Sequence, residues 1–460
     1  MVSGLSALFF LFNTGQLSRE KTKLVDTADA VAYSAAVMHA RALNFDAYNN
    51  RALVANEVLV AQIVSLSSWS QYADTHAQNL LSVFPECANP YTGAIAAIIN
   101  YDPIYGAMCF ITVNFTSTAI SNIAQAVPPI ANAVVQTVEL NKTAIRAAEQ
   151  VVHSPLFEST RAQVMNDVAQ RNYAGLGSVR VEAPGFVPAS SATALTDEWR
   201  SFTRRYDNDD RIRFAEVARN AAGSDQFVRQ RSWTSTALIP NIFEWKCLLK
   251  GRHNSVRRRG GTELIGLDEW KAEDTESYWH VHNAGRWYQI RCDEDENPIA
   301  FGTQQAYSSL QDSTTAFLGG SPSTNPRASA RASSADWTNY TGLPSFYDIN
   351  PTIAASNEPP TLRYAVRLVR DATAVRTSGA ASQIPPSPRI NNFSNTSRNS
   401  RLTAISTGEV YFERPLDSPN TAAVRNGSAN TRELGSLFNP YWQVRLVANS
   451  AADIAIGSAP

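Results

Sequence analysis

No proline occurs before Pro85, and no charged side chain before Arg19. Only two glycines, Gly4 and Gly15, fall in the first 83 residues. A stretch so poor in helix breakers leaves nothing to interrupt a long helix. The uncharged start has no basic n-region and no small-residue cleavage site, so it is not an ordinary secretory signal. Charged residues make up 18% of the 460, below the roughly 25% of an average soluble chain. That shortfall fits a surface that packs against other subunits. Acidic and basic side chains nearly balance, for a formal net charge of -1. Such a balance points away from nucleic acid, which needs a basic domain. The sequence also has no polybasic cluster of the kind that holds proteins on anionic lipid. No Walker A loop, Gly-x-Ser-x-Gly, His-Glu-x-x-His or Gly-x-Gly-x-x-Gly motif is present, so no enzyme class is indicated.

The chain opens with an apolar run that includes Leu5, Leu8, Phe9, Phe10, Leu11 and Phe12. It is shorter than the about 20 residues of a spanning helix. Either a leader has been removed before residue 1, or the precursor starts upstream. In both cases this end needs cover from its own core, a bilayer or neighbouring copies. From 14 to 72 the alanine-rich sequence predicts one or two long helices. Leu17, Leu24, Val31 and Ala35 form one stripe, whose small residues allow close helix approach. A second helical stretch is expected over 116–152, interrupted at Pro128-Pro129, and a shorter one over 156–171.

After Gly175 the pattern turns strand-like. Eight of the nine tryptophans lie beyond this point. Residues 278–290 read as a hairpin, with 278–282 and 286–290 as its arms around Asn283-Ala284-Gly285. Further strands are expected at 177–181, 361–369, 409–412 and 441–447. The fold class is α+β. The predicted organisation is an N-terminal helix (1–80), a helical region (81–175) and a β-rich outer domain (176–460). Long Ser/Pro-rich insertions are expected at 319–334 and 377–400. The basic run Arg257-Arg258-Arg259, followed by two glycines, reads as a solvated turn.

Four cysteines, Cys87, Cys109, Cys247 and Cys292, form no CxxC pair. An even count, grouped two and two, suits two disulfides in an oxidising compartment; four buried thiols are the alternative. His280 and His282 would share one face of a strand and could reach one metal, but no third ligand is identifiable. Asp207, Asp209 and Asp210 offer oxygens suited to calcium, as does the run 293–296, although neither has the spacing of a calcium loop. Solvated loops explain these acids without an ion, so no cofactor is expected. The tryptophans also suit a carbohydrate-binding module, but core packing accounts for them more simply.

One run has a family pattern. From Asn13 the sequence reads NTGQLSREKTKLVDTADAVAYSAA, and from Ala40 it reads ARALNFDAYNNRA. Together with LFNPYWQVRL from Leu437, it resembles TadE/TadG-like, Flp pilus-assembly proteins, which follow type IV pilins in plan. The resemblance covers the first 70 residues and the C-terminal strand. It implies a structural subunit of an extracellular, pilus-like filament, inserted in the bacterial inner membrane before assembly. Leu5, Leu8, Phe9, Phe10, Leu11, Phe12, Leu17, Leu24 and Val31 would form the assembly surface. The implied partners are identical subunits and the pilus assembly machinery. A membrane-anchored periplasmic assembly factor, or a minor tip pilin, is the alternative. Type IV pilins carry a glutamate near the start of this helix; here Leu5 stands there, and no Glu precedes Glu20.

Overall fold

The structure is a computed structural model that describes residues 2–83, 117–184, 195–236, 247, 250–285, 289–308, 325–333, 336–354, 359–371, 374–375, 401–414 and 435–458. Cys87, Cys109, the expected break and apolar run at 85–113, and the insertion at 377–400 lie outside these residues.

Helix α1 (Val2–Val83) is one element rather than two. Without proline to remove a hydrogen bond, it runs from the apolar start through the alanine-rich stretch. Helices α2 (Ser117–Val152) and α3 (Pro155–Asn172) follow. The expected interruption at Pro128-Pro129 does not occur, and α2 continues through both residues. Pro129 is solvent-exposed, so water can meet the carbonyl it leaves unpaired. Ser154 starts α3, its hydroxyl accepting from the Leu156 N–H, with Pro155 in the first turn.

The remaining elements are strands β1 (Arg180–Glu182), β2 (Thr203–Tyr206), β3 (Trp233–Thr236), β4 (Ser255–Ile265), β5 (Glu269–Asn283), β6 (Cys292–Tyr307), β7 (Phe346–Ile349), β8 (Thr361–Asp371), β9 (Arg401–Phe412) and β10 (Trp442–Val447). Helix α4 (Ile212–Ala222) lies between β2 and β3, and α5 (Ala451–Ser458) follows β10. A long apolar helix followed by antiparallel sheets makes the fold α+β. The expected 278–290 hairpin is only half right. The 278–282 arm belongs to β5, whose partner is β6, with Asn283 opposite Cys292; residues 289–290 are not strand.

Contacts divide the chain into two units that do not follow chain order. Unit 1 comprises Met1–Arg51, Ala147–Tyr206 and Tyr347–Pro460; unit 2 comprises Ala52–Arg146 and Asp207–Phe346.

In unit 1 the sheet order is β1-β8-β9-β10, with every pair antiparallel. Leu24, Ala28, Val31, Ala32 and Ala35 of α1 are buried with Met165 and Ala169 of α3 and with Tyr364, Val366 and Leu368 of β8. A second cluster joins Ala36, Ala40 and Leu43 to Trp199, Val410, Phe412 and Trp442. Gly408 of β9 makes the approach possible. A Cβ there would lie 2.7 Å from the Ala32 carbonyl oxygen and 2.8 Å from the Ala36 Cβ.

In unit 2 the order is β3-β4-β5-β6, also antiparallel. The Arg257-Arg258-Arg259 run is not a turn but the body of β4. Arg257 pairs with Glu294 at 2.7 Å and Arg258 with Asp274 at 3.5 Å. Cross-strand carboxylates hold the arginines in the sheet. The 293–296 run is likewise strand, at the start of β6, and Glu296 is buried. Its carboxylate accepts from the Ser277 hydroxyl and from the backbone N–H groups of Arg327 and Ala328. Cys247 and Cys292 form a disulfide across 45 residues of sequence.

Candidate functional site

The first turns of α1 are the most unusual surface among the described residues. Leu5 is 68% exposed, Leu8 64% and Leu11 71%, and Phe10 and Phe12 are also exposed; Phe9 is half-buried. Exposed positions fall on every side of the helix, not on one stripe. A helix apolar all round belongs in an apolar medium. The same helix changes character within three turns. Leu17 is half-buried, while Leu24 and Val31 are 0% exposed. The last two were expected on the assembly surface, but the core of unit 1 already covers them, so they cannot meet a partner. Their burial contributes about 1.5–3 kcal/mol each to this fold. Of the residues expected on the assembly surface, those left exposed lie at the helix start. Residues 2–18 span about 25 Å at 1.5 Å per residue, close to the roughly 30 Å of a bilayer core. By length and composition alone a stretch within Ala7–Asn79 is apolar enough to cross a membrane, but half of it is buried inside the fold, as in the core helix of a soluble protein.

Residues of the sequence runs that begin at Ala40 and Leu437 meet in space. The Asn44 side chain donates to the Trp442 carbonyl and accepts from the Trp442 N–H, both at 3.0 Å. It takes the place of a neighbouring strand along the edge of β10. Asn50 donates to the carbonyls of Tyr347 and Leu437, at 2.8 and 2.7 Å. The two sequence segments thus form one lock within unit 1.

Beside this lock lies a buried cluster that sequence reasoning missed. Arg161 donates to His39 Nε2 at 2.8 Å and to Asp197 at 3.0 Å, with its guanidinium 4.2 Å above the Tyr364 ring. Accepting at Nε2 requires that His39 be neutral. Burial, and then the Arg161 charge, hold its pKa well below the ordinary value. Trp199 stacks with both His39 and His153, at 5.0 and 5.5 Å between ring centroids. His153 meets the buried Asp46 at 2.9 Å. Desolvation raises the Asp46 pKa despite that partner. Each member has a partner inside the unit among the described residues, and His39 is 0% exposed.

The metal candidates do not assemble. His280 and His282 share a face with rings 6.3 Å apart, and His282 approaches Asp295 at 3.3 Å. Asp207, Asp209 and Asp210 lie exposed around the short turn Asn208–Arg211. Among the described residues, no three His, Cys, Asp or Glu side chains gather as a metal would need. A cavity of about 430 Å³ in unit 2 is lined by Arg219, Arg229, Thr262 and Trp270, among others. Arg219 donates to the carbonyls of Leu264 and Gly266, and Arg229 to that of Gly223. Those donors serve the fold rather than converging on a ligand.

Comparison with family models, with curated proteins and with solved structures gives no match to this chain.

Proposed function

We propose that this chain is a structural, non-catalytic component of a pilus-type assembly in the bacterial envelope, held in the inner membrane by the start of α1. One observation carries the reading: largely exposed apolar turns continue without a break into a helix buried in its own fold. An apolar projection on a rigid stem suits insertion into an apolar medium, whether bilayer or filament core. The resemblance of the flanking residues to TadE/TadG-like proteins supplies the pilus context. The Cys247–Cys292 disulfide fits an oxidising location outside the cytoplasm.

A second reading, a filament subunit that polymerises through this helix, has its own support. Exposed apolar residues recur on α1: in unit 1 Phe45 and Tyr48 lie three apart, and in unit 2 Leu59 and Leu66 lie seven apart, with Trp69 three residues on. That seven-residue spacing is the one helices use to pack side by side.

The test is to fractionate cells expressing the full chain and a variant without residues 2–12. The full chain should sediment with membranes and resist carbonate extraction, while the variant should be soluble. A full chain that is soluble and monomeric would sink both readings. Electron microscopy of the detergent-purified chain separates them, because single particles fit the anchored component and fibres the filament subunit.

A further inference from the structure

We infer that unit 1 is seated on a membrane surface through a basic collar around α1, and that this collar selects anionic phospholipid headgroups. The inference rests on the anchoring proposed above and goes beyond it by naming the lipid chemistry.

Immediately after the uncharged residues 1–18 come Arg19, Glu20, Lys21 and Lys23. At 100° per residue, Arg19 and Lys23 lie on one side of the helix and Lys21 on the opposite side. The fold reinforces this distribution from distant parts of the chain. Glu20, the only acid among them, is neutralised by Arg370 of β8 at 2.6 Å. Lys21 is exposed and donates to the Thr403 carbonyl of β9. Lys23 lies 5.0 Å over the Tyr173 ring, at the end of α3. Arg19 is exposed and has no ion pair among the described residues. Arg401, which starts β9, pairs with the exposed Asp371 at 3.8 Å and so adds no net charge. The sequence shows three basic residues in five, fewer than a polybasic cluster; the fold raises their net effect by neutralising the intervening acid.

The axial position matches a headgroup layer. With residues 2–18 matched to the hydrocarbon, Arg19 stands at its edge, and Lys21 and Lys23 follow about 3 and 6 Å farther along the helix. That places the three within the roughly 5–8 Å headgroup layer. Lysine and arginine stems span the remaining distance by snorkelling. Anionic lipid supplies the complementary charge. Each basic residue near such a surface contributes about a fivefold preference. Arg19, Lys21 and Lys23 together give a preference on the order of 100-fold.

The experiment offers the detergent-solubilised full chain a mixture of two vesicle populations of different buoyant density. One is phosphatidylcholine alone; the other contains phosphatidylglycerol at three parts in ten. After detergent removal and flotation, the ratio of protein in anionic to neutral vesicles is measured. The wild type should favour the anionic vesicles by at least tenfold, and 0.5 M salt should compress that ratio. Arg19→Gln/Lys21→Gln/Lys23→Gln should bring it close to one. Arg19→Glu alone, at a residue with no ion pair among the described residues, should lower it severalfold with the far-ultraviolet dichroism unchanged. Equal partition of an anchored wild type, or a ratio insensitive to these changes, overturns the collar but leaves the anchor standing. Protein found in neither vesicle population overturns both.

Discussion

One helix meets two sheets by different chemistry. In unit 1, α1 offers Leu24, Ala28, Val31, Ala32 and Ala35, and the sheet answers with Tyr364, Val366 and Leu368. In unit 2 it buries Leu53, Val60, Ala61 and Val64 and adds a polar set, Glu57, Ser65, Ser67, Ser68 and Tyr72. Here the sheet answers with charge. Ser68 donates to Asp274 at 2.9 Å, and Ser67 to Gln304 at 2.9 Å. Tyr72 donates to Glu276. Arg231 neutralises Asp274 at 2.7 Å. Glu57 receives Lys142 at 2.8 Å, the Trp270 indole N–H at 2.9 Å and the Tyr340 hydroxyl at 2.7 Å. Apolar contact is non-directional and tolerates small shifts. A buried polar seam is specific, because each group left unmatched carries its full desolvation penalty. Unit 1 should therefore fail gradually under substitution, and unit 2 abruptly.

The sharpest way to break this contrast is Lys142→Met. It leaves Glu57 and Glu139 facing each other without the lysine that lies 2.8 and 2.6 Å from them. The expected loss is about 3–5 kcal/mol, read by urea unfolding followed at the unit 2 tryptophans. Adding Glu57→Gln should restore part of it, because the two sites are coupled. A loss under 1 kcal/mol would mean that the seam is passive.

Leu24→Ala probes the apolar counterpart. About 3 kcal/mol should disappear from unit 1, since Leu24 is fully buried. Leu24→Met should cost less than half as much, because the space is refilled. Comparable costs for the two variants would show that unit 1 is as exacting as unit 2.

Asn50→Ala tests the polar exception inside unit 1. Two buried carbonyls, of Tyr347 and Leu437, lose their donor, for about 1–3 kcal/mol. Hydrogen exchange should quicken at the Trp442 amide in the companion variant Asn44→Ala, which removes that amide's acceptor.

The smallest effect is the pH dependence of unit 1. His39 is held below its ordinary value when folded, so the unfolded chain takes up the proton first. Stability is then full above about pH 6.5 and declines as pH falls below it, by at most about 1.4 kcal/mol per pH unit. Asp46 acts in the opposite sense at lower pH, because its folded carboxyl binds a proton before the unfolded one does. Melting temperatures between pH 7.5 and 5.5 should fall for the wild type. The slope should flatten in His39→Gln, whose amide oxygen still accepts from Arg161. An unchanged slope would remove His39 as the source.

The extent of α1 was legible because it depends on local composition: no proline, abundant alanine and an apolar start. The strands at 361–369, 409–412 and 441–447 were legible for the same local reason, their alternation and β-branched content. Arg257 and Arg258 misled because the carboxylates that hold them, Glu294 of β6 and Asp274 of β5, are remote in sequence. The seam of unit 2 was hidden by a related cause. Serines and a lone Glu57 on a helix resemble a wet face until a charged strand is laid against them. One clue was available: Glu57 is the only charged residue between Arg51 and Asp74. At the helix start, Leu5 to Phe12 were recognised as apolar, but separating them from Leu24 and Val31 required knowing where the sheet ends.

The lock between Asn44 and Trp442 joins residues 398 apart in sequence. During synthesis, the early helix therefore emerges long before the strand that completes its surroundings. At about 5–20 residues per second, that delay is roughly 20–80 s. Throughout it, Asn44 and Asn50 wait without Trp442 and Leu437, and the greasy start has already left the ribosome. A chain built in this order benefits from early insertion of its first turns, which takes the most aggregation-prone segment out of water while the rest is still being made.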